Sequence, residues 1–161
     1  MPKKTLTNDS EFIVGEEKAL VYFLAIAFLG LFLYGLIDMI VRRFSNISYL
    51  DFVFIVALLP ALLFWRKGRS NHIYIRVNKK GIYQDEKLVT NWPNFLNAYI
   101  AQKEKTISIQ DNFQLVVEHL KDGYTDGFRR KIPLTNTQNK SEEDVLAAIK
   151  FFWQENKTNN Y

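Results

Sequence analysis

The run ALVYFLAIAFLGLFLYGLI, residues 19–37, carries no charged side chain, in a chain of 161 residues of which 24% are charged. As a helix its length is about 28 Å at 1.5 Å per residue, close to the ~30 Å hydrocarbon thickness of a bilayer. Leu, Phe, Ala and Ile cover every face of that helix, whereas a core helix of a soluble domain is apolar along one stripe. The run therefore predicts a membrane span. It exceeds the apolar region of a cleaved signal peptide, follows a polar leader at 1–18 and has no small-x-small cleavage site, so it is expected to stay in the mature chain.

Outward from this run the chain changes character. Between residues 19 and 65 the only charges are Asp38, Arg42, Arg43 and Asp51, while from Arg66 onward a charge recurs every few residues. The second apolar run, FVFIVALLPALLFW at 52–65, reaches spanning length when extended upstream to residue 48. That places Asp51 within a turn of the helix start, at the interface, where a carboxylate can reach headgroups or pair. Pro60 removes one backbone hydrogen bond, a kink that membrane helices tolerate. Residues 19–65 thus predict a transmembrane helical hairpin, about 19–41 and 48–65, turning through VRRFSNIS at 41–48.

Basic residues orient the hairpin. Lys3, Lys4 and Lys18 precede it, Arg66, Lys67 and Arg69 follow it in a basic juxtamembrane linker at 66–71, and only Arg42 and Arg43 lie in the turn. This excess predicts both termini in the cytoplasm. Tyr49 and Trp65 are expected as aromatic anchors, with Arg42, Arg43, Arg66, Lys67 and Arg69 at the membrane interface. Asp38 stands four residues before Arg42, the spacing at which opposite charges meet on a helix; a local ion pair explains it better than an ion relay. Two spans also give too little wall for a conduit unless the chain forms a homo-oligomer.

After residue 71 short alternating runs replace continuous apolarity, which predicts antiparallel sheet. HIYIRVN (72–78), GIYQ (81–84), KLVTNW (87–92), FLNAYIAQ (95–102), TISIQ (106–110), FQLVVEHL (113–120) and FRRKIPL (128–134) read as seven strands, punctuated by turns such as NKKG and KDGYTDG. SEEDVLAAIKFFWQENK (141–157) then shows helical spacing. Ser141 caps it three residues before Asp144, and Val145, Leu146, Ala148, Ile149, Phe152 and Trp153 form one apolar stripe. Its polar side is mixed in charge, which predicts packing on a sheet over lying on lipid.

Seven antiparallel strands capped by one C-terminal helix, a bent sheet or partly open barrel, is the arrangement of the pleckstrin-homology (PH) superfold. The stretches VNKKGIYQ, TNWPNFLNAYI, NFQLVVEHL, RKIPLTN and SEEDVLAAIKFFWQ resemble the PH-like domain of bacterial membrane proteins of the YcxB-like kind. In that family a two-helix hairpin precedes the domain, and Gly81-Ile82, Trp92 and Ile132-Pro133 match its short motifs. The resemblance covers roughly residues 20 to 155, and implies an α+β PH-like domain at 72–156, a short tail at 157–161, and a bacterial inner-membrane location. Leu134 departs from the basic residue the family often has after Ile-Pro, which weakens an anion-binding role there.

Little in the sequence points to catalysis. The chain has no Cys, which excludes thiolate chemistry and zinc–cysteine sites. His72 and His119 lack metal-binding spacing, no phosphate-binding glycine loop or nucleophile elbow occurs, and Asp122 with Asp126 reads as a turn without the ligand density of a calcium loop. No cofactor is expected. A net charge of +4 without a basic stripe interleaved with aromatics argues against nucleic acid. Lys79 and Lys80 at the first strand turn, and Arg129, Arg130 and Lys131 ahead of Ile-Pro, form a candidate lipid or partner surface. The expectation is a non-enzymatic, membrane-anchored protein-interaction or regulatory module with the bilayer and a protein as partners. A membrane immunity protein that neutralises a toxin and a sensor of anionic lipid are the two alternatives.

Overall fold

The computed structural model describes residues 6, 7, 9–42, 44, 48–102, 113–121 and 126–159. The strand expected at 106–110, Arg43, Lys3, Lys4 and Asp122 lie outside them. The chain divides into two units, residues 16–71 and residues 1–15 with 72–161.

In the first unit α1 (Lys18–Val41) packs against α2 (Tyr49–Val56) and α3 (Leu58–Arg69). α1 and the stretch Tyr49–Arg69 are both long and apolar enough to cross a membrane, and only 17% and 11% of their most apolar windows are buried. A core helix of a soluble domain would be mostly buried; here Phe23, Ile26, Ile37, Phe52, Leu59 and Leu63 all face outward. The break between α2 and α3 falls at Ala57, just before Pro60, whose missing N–H cannot serve the carbonyl of Val56. Glycines set the approach of the helices. A Cβ on Gly35 would collide with the Phe54 ring, and one on Gly68 would lie 2.9 Å from the Tyr22 ring, the close contact small residues permit between membrane helices. Between these points Phe28 stacks on Phe64 at 5.9 Å.

The second unit contains β1 (Phe12–Gly15), β2 (Ile73–Asn78), β3 (Gly81–Gln84), β4 (Lys87–Asn91), β5 (Phe95–Gln102), β6 (Phe113–Leu120), β7 (Gly127–Pro133) and α4 (Glu142–Asn159). All pairings are antiparallel, in two sheets ordered β1-β2-β3-β4 and β5-β6-β7. Two sheets thus stand where the sequence suggested one bent sheet or partly open barrel. β1 falls within the stretch expected as a polar leader at 1–18. Phe12 pairs with Val77 and Val14 with Ile75, and Val14 is fully buried in the core. The end of β1 is held from across the unit: Asn139 N–H donates to Gly15 O at 2.9 Å and Gly15 N–H to Asn139 Oδ1 at 3.1 Å.

The other expected strands form within one or two residues of their predicted limits, and α4 is capped as expected, with Asp144 N–H donating to Ser141 Oγ at 3.1 Å. Val145, Ile149 and Phe152 of α4 join Ile75, Ile82, Leu115 and Ile132 of both sheets in one core. Trp92, just past β4, is buried and donates Nε1–H to Asn78 O at 2.9 Å. Gly81 has φ +153°, and a Cβ there would strike the Thr90 carbonyl on β4; only glycine allows this strand approach. The turn from β3 to β4 holds Asp85 (φ 48°) and Glu86 (φ 64°) in left-handed conformation, a hairpin geometry that matches strand twist. His72 Nε2 lies 2.9 Å from Asp85 Oδ1, and Arg76 donates to Glu86 at 2.8 Å, so both strained residues are tied to β2 or its approach.

Candidate functional site

Polar clusters close both ends of the helical unit. Arg42, immediately after α1, donates from Nη2 to Asp38 Oδ2 at 2.5 Å and to Asp51 Oδ1 at 2.6 Å. The other Asp51 oxygen accepts the Ser48 N–H at 2.6 Å. The Asp51 side chain is 2% exposed, and a buried carboxylate needs both a counter-charge and hydrogen bonds; it has both. Bonds to Asp51 and then Asp38 also hold the Arg42 guanidinium further above its ordinary pKa. The i,i+4 pair expected from sequence is present, and it extends to a second helix. At the other end Lys67 pairs with Glu16 at 3.0 Å and Lys18 Nζ donates to Asn71 Oδ1 at 2.5 Å. Tyr49, Trp65, Arg66 and Arg69 are exposed at the two helix ends, while Lys67 and Arg42 are committed to ion pairs.

The basic candidates of the second unit fall on different sheets. Lys79 and Lys80 occupy the turn between β2 and β3, and Lys79 pairs with Asp9 at 2.9 Å. Arg129, Arg130 and Lys131 lie along β7, where Arg129 pairs with Glu118 at 2.8 Å and Arg130 donates to Gln84 Oε1 at 2.9 Å. No single site assembles from the two clusters: the first is partly neutralised by residues ahead of β1, the second by β6. Among the described residues β7 is an edge strand, with 127–131 all exposed, and charge on an edge guards it against pairing with another chain. His119 Nδ1 is bonded to Leu120 O at 3.0 Å. Among the described residues no three His, Asp or Glu side chains converge as metal ligands.

A different surface went unmarked by motif. Among the described residues β5 is the other edge of the three-stranded sheet. Its residues 95–102 include neither a charged residue nor a proline, the reverse of β7. Beside it runs a groove of about 350 Å³ toward α4, lined by Phe95, Asn97, Ala98, Leu146, Ile149, Lys150 and Trp153. The aromatic floor is continuous: Trp92 meets Phe95 at 5.6 Å, Phe95 meets Trp153 at 5.5 Å, and Lys157 Nζ sits 3.9 Å above the Trp153 ring. The signal available in sequence was the uncharged strand set against the three cations of 129–131.

Architecture alone defines the class: a chain with two helices long and apolar enough to cross a membrane, and a unit of two antiparallel sheets with a C-terminal helix. No family model matches the chain, and no curated protein or solved structure matches it.

Proposed function

We propose that the chain is a two-span protein of the bacterial inner membrane whose β-rich unit is a PH-like domain of the YcxB-like kind, lies in the cytoplasm, and works without catalysis as a protein-interaction module. The interaction role is carried by the unguarded β5 edge beside an apolar groove, since an unpaired strand edge is a template for another chain. Anchorage is supported by the outward apolar side chains of the helices, which water would not tolerate as a patch this large. Both termini on one side is supported by connectivity: β1 precedes the helices and β2 follows them, yet the two pair. The PH-like assignment draws support from the six antiparallel strands β2–β7 described after the helices, followed by α4, and from Gly81, Ile82, Trp92 and Ile132 filling close-approach or core positions. Lipid sensing ranks below, because Lys79 and Arg129 already have acidic partners.

Because the chain has no Cys, single cysteines report topology cleanly. Ser48→Cys is expected to react with an impermeant maleimide added to intact cells, and Ser70→Cys only after permeabilisation. A photo-crosslinking residue at Ala98 is expected to trap a discrete protein in cells, with Lys131 as the control position. Release of the protein by alkaline carbonate would overturn the anchorage; absence of any adduct from positions across the β-rich unit would overturn the interaction role.

A further inference from the structure

We propose that the β5 edge and the groove toward α4 bind an extended, acidic polypeptide segment that adds to β5 as a further strand. This rests on the interaction-module reading and specifies its ligand. Among the described residues β6 is the only strand paired with β5, and the Ala98 N–H is held by the side chain of its own neighbour, Asn97, at 2.9 Å. An incoming carbonyl can replace that local bond with a ladder bond. Every second side chain of an added strand points to the same face, about 7 Å apart, so a groove of about 350 Å³ takes one or two apolar side chains over Phe95, Ala98 and Ile149.

Charge selects the occupant. Among the described residues Lys150 is the only charged one lining the groove, and Lys157 stands over Trp153 at its end. Among the described residues neither lysine has a carboxylate within ion-pair distance, unlike Lys67, Lys79 and Arg129. A ligand with carboxylates flanking its apolar residues supplies the missing partners, and the interaction is strengthened where the pair is shielded from water. The same rim disfavours a lysine-rich segment.

The test uses full-length protein in lipid nanodiscs and an unbiased library of linear decapeptides displayed on phage, with affinities then read by fluorescence anisotropy. Selected peptides are expected to alternate apolar residues with Asp or Glu. Their affinity is expected to fall at least about tenfold with Lys150→Glu, an exposed α4 position where the fold is retained, and to be lost with Ala98→Pro, which disrupts the edge. Unchanged binding to Lys150→Glu, equal binding of Lys-for-Glu peptides, or no enriched peptide would each overturn the proposal. A protein crosslinked in cells elsewhere on the β-rich unit, with no peptide enriched, leaves the interaction module standing and removes this ligand; neither adduct nor peptide removes both.

Discussion

Arg42 and Asp51 meet at 2.6 Å across two different helices, and the same guanidinium nitrogen holds Asp38 on its own helix. One cation therefore fastens the closed end of the helical pair. Arg42→Gln leaves a buried carboxylate without its counter-charge, and is expected to lower the melting temperature in nanodiscs by several degrees. Because the two groups act as a unit, Asp51→Asn added to Arg42→Gln is expected to recover part of the loss. Strict additivity of the two changes would show that the contact is not energetically coupled.

Val14 is expected to behave as a core residue although it lies in a segment rich in polar residues. It is fully buried between β2 and the rest of the core, whereas its neighbour Ile13 is 36% exposed. Val14→Ala is expected to destabilise the β-rich unit by about 2 kcal/mol and Ile13→Ala by less than about 0.5 kcal/mol, measured by denaturant titration followed through tryptophan fluorescence. Equal effects would place β1 outside the core.

Gly35 and Gly30 lie on the same helix and should respond oppositely to size. A Cβ on Gly35 meets the Phe54 ring, while one on Gly30 meets nothing within 4 Å. Gly35→Leu is expected to separate α1 from α2, seen as a lengthened spin-label distance by electron paramagnetic resonance. Gly30→Leu should leave that distance unchanged.

Trp92→Phe removes the donor to Asn78 O but keeps an aromatic ring in the core. Leaving that carbonyl without its partner is expected to cost about 1–2 kcal/mol, measured in the same titration. A neutral result would mean that water replaces the indole N–H.

The charged edge of β7 should act as a guard. Replacing Arg129, Arg130 and Lys131 together with Thr is expected to raise the apparent oligomer size by light scattering. Under the lipid-sensing alternative the same variant instead loses sedimentation with anionic vesicles, and its oligomer size stays constant.

Much of the architecture was legible in residues. The apolar runs at 19–37 and 52–65 correspond to helices of spanning length, and the alternating runs that fall on described residues between 73 and 133 to strands, because each pattern reports only the environment of its own segment. The Asp38–Arg42 pair was legible for the same reason, being set by helical spacing. β1 was hidden because four residues between charged neighbours give no usable period, and its partner β2 lies beyond the helical pair. The neutralisation of Lys79 by Asp9 and Arg129 by Glu118 was hidden likewise. A cationic cluster in sequence says nothing about which carboxylate the fold brings to it.

The residues by themselves determined which segments are helical or extended and which are too apolar to face water, since these depend on contacts within a turn or along one strand. Tertiary structure alone decided that β1 joins β2, that Arg42 binds Asp51 as well as Asp38, and that the uncharged strand β5 is, among the described residues, an edge beside α4. Those outcomes depend on how separate elements come together, across the whole helical unit in the case of β1 and β2, and such closure is governed by the sum of all packing interactions and by no local pattern.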